Sequence, residues 1–240
     1  MTIIFIIILI IGSIYLLNKA RKTELLATKR VLQGYALFGI CFAGTRIFFL
    51  FSTAYGEIQL LYQSDPLSWS YLFWGYVNNI FVVCAYAVTM AAIVFIFRVV
   101  EHYILNRKPV FAVIAVCSLG ADILALILTI LNFAFFTNNT NINLAVVAMG
   151  PKDFANLVQT IISPILGLAI CVLYLLIVKI SAGSVRRKAL ETFIGVFLLL
   201  MGILLDMNLL NSITAFNPYR YMITPILMII GVLIVFYSLK

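Results

Sequence analysis

Seven apolar runs recur along this chain, each long enough to cross about 30 Å of hydrocarbon, which takes roughly 20 helical residues. They lie near residues 2–18, 31–52, 76–99, 110–136, 155–179, 190–210 and 219–239. No water is present in hydrocarbon to satisfy backbone N–H and C=O groups, so a run of this kind spans as an α-helix, whose hydrogen bonds are internal. The predicted fold class is therefore all-α, a polytopic membrane protein in which residues 1–240 form a single seven-transmembrane-helix bundle. Short connections leave no room for a separate soluble domain. Residues 1–18 lack a basic leader and a small-residue cleavage site, so the first run is expected to stay as an anchor and not to be removed as a signal peptide.

Lysine and arginine fix the expected orientation, because positively charged loops are retained in the cytoplasm. One side of the seven-span arrangement collects thirteen of them: Lys19, Arg21, Lys22, Lys29, Arg30, Arg98, Arg107, Lys108, Lys179, Arg186, Arg187, Lys188 and Lys240. The other side has two, Lys152 and Arg220, and Arg46 lies within a span. The N-terminus is thus expected outside and the C-terminus in the cytoplasm, in a multi-pass protein of the cell membrane. The net charge of +8 would point to nucleic acid in a soluble chain. Here the basic residues flank apolar spans, which excludes nucleic acid and indicates the lipid bilayer as partner, with anionic lipids at the basic inner loops.

The longest outward loop, 53–75, carries Glu57 and Asp65, no lysine or arginine, and Tyr62, Trp69, Tyr71 and Trp74, residue types that favour the headgroup zone. It is expected to lie on the membrane surface, with a helix start at Ser64-Asp65-Pro66. A second outward loop, 137–141, contains a glycosylation tripeptide at Asn138. Cys41, Cys84, Cys117 and Cys171 fall one in each of four consecutive spans and are expected to act as small core residues. No repeat of 20 to 50 residues is present, which excludes a solenoid.

Ionisable groups inside the spans carry the functional expectations, since each costs a few kcal/mol at the bilayer centre unless it faces a partner or a wet cavity. There are three: Arg46, Asp122 and Asp206. At 1.5 Å per residue, Arg46 and Asp206 are roughly level at 22 to 24 Å above the inner end of their spans, and Asp122 lies roughly 18 Å up. An Arg46–Asp206 ion pair is expected from that match. Asp122 has no cation at its own depth and is the better candidate for a protonatable or ligand-facing group. Polar and small residues share faces with these groups: Ser118, Asp122, Ala125, Thr129 and Asn132 in the fourth span, and Asn156, Thr160, Ser163, Gly167, Cys171 and Tyr174 in the fifth. The candidate ligand or ion pocket is Arg46, Asn79, Tyr86, Asp122, Asn132 and Asp206. Pro164 and Pro225 interrupt two spans and free backbone carbonyls.

The only histidine, His102, lies in a basic inner loop, so no metal cluster and no metal or other cofactor is expected. A rhomboid-type protease needs histidine within the membrane, and a retinal protein needs a lysine in its last span; neither is present. An enzyme is therefore not expected. Helix number and orientation resemble the seven-helix sensor regions that precede some microbial histidine kinases, at the level of architecture alone. Two functions follow as expectations. The first is a sensor or accessory subunit that binds a small molecule or lipid in the outer half of the bundle and acts through a protein partner. The second is a secondary transporter or permease using Asp122 or Asp206, and a purely structural membrane subunit is a further alternative.

Overall fold

The computed structural model describes residues 2–64, 68–138, 150–206 and 217–239, with the backbone alone described at 135–138, 150–151, 204, 206 and 217–222. These residues form seven α-helices and no strands: α1 (Thr2–Lys22), α2 (Leu26–Leu60), α3 (Trp69–Phe97), α4 (Val110–Asn138), α5 (Gly150–Ile180), α6 (Gly183–Asp206) and α7 (Asn217–Ser238). Among them, Thr2–Lys22, Leu26–Leu60, Trp69–Ile104, Val110–Ala134 and Lys152–Ile180 are long and apolar enough to cross a membrane, and Ile223–Ser238 is a shorter apolar stretch.

Each helix packs on the next, α1 also meets α7, and α3 touches α5 across the middle. The outward faces are apolar. Ile3, Ile7, Ile11 and Ile14 of α1, Val113, Val116, Leu124 and Leu131 of α4, and Leu157, Ile161, Leu168 and Val172 of α5 are all exposed. Ser118, Asp122, Thr129, Gln159, Thr192 and Thr224 are buried. Soluble domains do not expose contiguous apolar faces of this extent. Apolar side chains outside and polar side chains inside suit a multi-pass membrane protein, where lipid tails solvate the outer faces.

Polar pairs cross most helix interfaces. Thr45 and Thr89 meet at 3.2 Å, and the Ser52 hydroxyl donates to Asn78 Oδ1 at 2.6 Å, both between α2 and α3. The Tyr35 and Tyr174 hydroxyls join α2 to α5, Thr192 and Ser238 join α6 to α7 at 2.7 Å, and Lys19 Nζ donates to the Leu239 carbonyl at 2.8 Å. Lys188 is also an electrostatic neighbour of Lys19, so the basic ends of α1 and α6 lie together beside the end of α7.

Two helix ends differ from expectation. The segment 53–75 is not a surface loop: α2 continues to Leu60 and α3 begins at Trp69. No proline interrupts 53–60, and the extended ends are tied together by the stacked rings of Tyr55 and Trp74, with centroids 5.7 Å apart. The N-cap of α3 is Ser68, whose side chain accepts from the Tyr71 amide at 3.3 Å; Asp65 and Pro66 of the expected start at Ser64 lie outside the described residues. At its other end α3 runs into a π-helical turn, Arg98–Ile104. That turn points the buried Glu101 carboxylate at the start of α4, where its two oxygens accept from the Phe111 and Ala112 amides at 3.0 and 2.9 Å. Glu101 thus satisfies two of the unpaired donors at the N-terminus of α4 and complements its positive end. The connection from α5 to α6 is as short as 181–182 because Gly183 takes φ +57.

Small residues set the closest helix approach. A Cβ on Gly195 would lie 2.7 Å from the Gly231 carbonyl oxygen, and a Cβ on Gly231 would lie 2.7 Å from the Gly195 carbonyl oxygen, so α6 and α7 cross backbone to backbone. Gly202 likewise faces Thr224 and Met228 of α7. Gly39 of α2 faces Ser13 of α1 and Phe236 of α7. The small faces of α2 and α6 therefore serve other neighbours and not each other. Replacing Gly195 by leucine should push the two backbones apart and destabilise the protein by about 1–3 kcal/mol. Thermal unfolding in detergent measures this, and an unchanged melting temperature would mean the crossing is not so close.

Candidate functional site

The polar residues of α4 and α5 meet at Gln159. Asp122 is fully buried on α4 at 0% exposure. Its Oδ2 accepts a hydrogen bond from Gln159 Nε2 at 2.7 Å. The same nitrogen lies 3.3 Å from the Tyr86 carbonyl oxygen of α3, and Gln159 Oε1 accepts from the Ser163 hydroxyl at 2.6 Å. The Tyr86 hydroxyl donates to Asn156 Oδ1 at 3.0 Å. Three helices thus contribute to one chain of hydrogen bonds, Tyr86 from α3, Asp122 from α4, and Asn156, Gln159 and Ser163 from α5. The amide orientation of Gln159 is fixed by this surrounding, since its nitrogen faces two acceptors and its oxygen faces a hydroxyl donor. Asp122 Oδ1 has no hydrogen-bond partner among the described residues.

Helical spacing explains the convergence. Gln159 stands three residues after Asn156 and four before Ser163, so all three lie along one side of α5. The stripe drawn through Asn156 and Thr160 passes beside Gln159 and misses it. The buried residues of α5 are Ala155, Gln159, Leu166, Ile170, Cys171, Leu173, Tyr174 and Ile177, so the expected stripe holds at Cys171 and Tyr174 but leaves the buried face at Asn156, which is exposed. A glutamine between an asparagine and a serine at helical spacing was the available signal. On α4 the expected stripe is the buried one: Ser118, Asp122, Ala125 and Thr129 all face inward.

The remaining candidate residues take other places. Arg46 of α2 donates to Met228 Sδ of α7 at 3.0 Å and lies 6.0 and 5.6 Å from the ring centroids of Phe5 and Phe42, on the side where α1, α2 and α7 meet. Asn79 is buried on α3, seven residues before Tyr86. Asn132 is half-buried on α4, ten residues after Asp122, which is roughly 15 Å along the helix. Asp206 ends α6, and its side chain lies outside the described residues, as does the expected Arg46–Asp206 pair. Residues 139–149, with most of the loop that follows Asn138, also lie outside them. Of the cysteines, Cys171 is buried and Cys117 is on an exposed face of α4.

A cavity of about 90 Å³ adjoins the polar chain. Its walls come from α2, α3, α5, α6 and α7, and are apolar apart from Tyr35, Thr89 and Ser163. Pro164 and Gly167 line it on α5, so the proline sits where the helix loses a backbone hydrogen bond next to open space. Ser163 belongs to both features, since its hydroxyl ends the chain that begins at Asp122 and its side chain lines the cavity. Among the described residues no group of three or more His, Cys, Asp or Glu side chains is placed to hold a metal. No protein-family model, curated protein or solved structure matches this chain.

The Asp122–Gln159 contact is open to a double-mutant cycle. Gln159→Leu removes the one donor to the buried carboxyl and is expected to cost about 1–3 kcal/mol, more than a typical interhelical bond because it strands the acid. Adding Asp122→Leu removes the stranded group as well, so the double variant should unfold at a higher temperature than Gln159→Leu alone. Additive losses in the two single variants would show that the residues do not interact.

Proposed function

We propose that this chain is a seven-span protein of the cell membrane, N-terminus outside and C-terminus cytoplasmic, that works as a sensor or accessory subunit. It binds a small apolar or amphiphilic molecule, or part of a lipid, in the cavity lined by Tyr35, Ile96, Val196 and Val235, nearer the expected inner ends of the spans than the outer half read from the sequence, and acts through a protein partner at its basic inner ends rather than by catalysis. The observation that carries this reading is Ser163, which joins a buried polar chain to an apolar cavity. A guest with an apolar body and one polar end matches both. At about 90 Å³ the cavity is below the 300–1,000 Å³ range of drug-sized sites. A small molecule or the end of an acyl chain suits it better. Thirteen basic residues on one side and two on the other support the orientation and favour anionic lipid at the inner surface.

The orientation is checked with single cysteines at Asn139 and Ser184 in a background lacking Cys41, Cys84, Cys117 and Cys171. A membrane-impermeant thiol reagent added to intact cells should label the first and spare the second. Labelling of both from outside would overturn the seven-span arrangement.

The binding role is checked by thermal shift on the purified protein against a panel of small apolar and amphiphilic compounds and lipids, since a ligand of the native state raises its melting temperature. Ile170→Phe fills part of the cavity wall and should remove most of the shift. If no compound stabilises the parent, or if Ile170→Phe responds as the parent does, the cavity is not a binding site. Asp122 and its free oxygen favour the second reading, a transporter or permease, which predicts solute flux in proteoliposomes that Asp122→Asn abolishes.

A further inference from the structure

We infer that Asp122 holds a monovalent cation, a sodium ion or a proton, at its Oδ1 atom. The hydrogen-bond chemistry of the cluster leaves that atom as the position where positive charge belongs. Gln159 commits its Nε2 to Asp122 Oδ2 and the Tyr86 carbonyl, and its Oε1 to Ser163. A proton on Oδ2 would face the amide N–H, donor against donor, so Oδ2 is the acceptor oxygen in either protonation state. Oδ1 is left with no donor at all, in a side chain with 0% exposure. Among the described residues no lysine or arginine pairs with Asp122, and the ion pair that is present, Arg187 with Glu191, is at the exposed start of α6.

A carboxylate anion enclosed in this way, with one hydrogen bond and no counter-charge, is the arrangement that buried charges avoid. Positive charge at Oδ1 removes the difficulty, whether a proton bonds to the oxygen or a cation binds beside it. Charge count sets the class of ion. One carboxylate balances one positive charge, and the hydrogen-bonded cluster of Tyr86, Asp122, Asn156, Gln159 and Ser163 contains no second Asp or Glu, so a divalent ion of the calcium type lacks its anionic ligands. The Tyr86 carbonyl and the Ser163 hydroxyl are neutral oxygens bonded to Gln159 and not to Oδ1, so they fix the amide that holds Oδ2 and leave Oδ1 as the position for a single positive charge.

The inference deepens the functional reading at the polar end of the cavity, yet it stands on Asp122 alone. The test uses the full chain in nanodiscs, with thermal unfolding followed in sodium, potassium and choline chloride at one ionic strength and at three pH values from 5.5 to 8.5 as roughly chosen settings around the usual stability range. For a sodium site, the melting temperature of the parent rises by a few degrees with sodium but not with choline, in line with ligand binding to the native state. Sodium-23 NMR then shows exchange broadening that Asp122→Asn removes. For a proton site, sodium has no effect, while the parent's melting temperature in choline depends on pH and that of Asp122→Asn does not. The inference is overturned if Asp122→Asn keeps the parent's sodium and pH responses, or if the parent shows neither. Should Asp122→Asn fail to fold, Gln159→Leu provides the second variant: a changed sodium or pH response supports the assignment, and an unchanged one overturns it. Ile170→Phe separates the two proposals, because blocking the cavity should abolish the apolar-ligand shift and leave the cation response intact.

Discussion

A helix in hydrocarbon can satisfy its own backbone, but a polar side chain there can be satisfied only by another part of the protein. That constraint organises the interior of this bundle. Ser52 finds Asn78, Tyr35 finds Tyr174, Thr192 finds Ser238, and Asp122 finds Gln159, each across a helix interface. Others turn back onto their own helix: the Thr129, Ser118 and Thr160 hydroxyls donate to the carbonyl four residues earlier, at 2.7, 3.1 and 2.7 Å. Interhelical hydrogen bonds in membranes are modest individually, at about 0.6 kcal/mol on average in measured cycles. Their placement matters more than their sum, because a rotation of one helix by a single residue step would strand several of them at once.

Close backbone approach is the second means of association, and the two are divided between parts of the bundle. The α6–α7 pair meets at Gly195, Gly202 and Gly231, with Thr192 bonded to Ser238. The α3–α4–α5 group relies on Asp122, Gln159, Tyr86 and Asn156. The cavity lies where these two regimes meet, between the glycine-mediated pair and the polar group, beside Pro164. Packing there changes from backbone-to-backbone contact to side chains of mixed size, and a proline removes one helical hydrogen bond. Incomplete filling at such a junction follows from geometry alone.

Length and hydropathy made the helices legible in the sequence, because they depend on local composition. The inward face of α4 was legible as well: Ser118, Asp122, Ala125 and Thr129 line up at helical spacing. Partner choice was not legible. The matched depths of Arg46 and Asp206 suggested a pairing of α2 with α6 that lies outside the described residues, whereas no span taken alone shows that Gly39 of α2 faces Ser13 of α1 and Phe236 of α7. Which helix stands beside which is a property of the ring of seven and leaves no trace in any one span. The ends of α2 and α3 were obscured for a different reason. Aromatic and polar residues suit both a surface segment and a helix that emerges into the headgroup zone, and the tertiary stacking of Tyr55 on Trp74 decides between them.

Gln159 shows how far a single uncharged residue can determine the chemistry of a buried acid. Its amide donates to one oxygen of Asp122 and is held by Ser163 and the Tyr86 carbonyl, so it cannot turn to serve the other. An arginine at the same position would neutralise Asp122 permanently and turn the cluster into a structural ion pair. A leucine would leave the acid without any donor. Glutamine does neither: it orients the carboxyl through one oxygen and leaves the other without a donor. The fixed amide thus divides the acid into one bonded and one unpartnered oxygen, and Ser163, which holds the amide from its other side, carries that arrangement to the wall of the cavity.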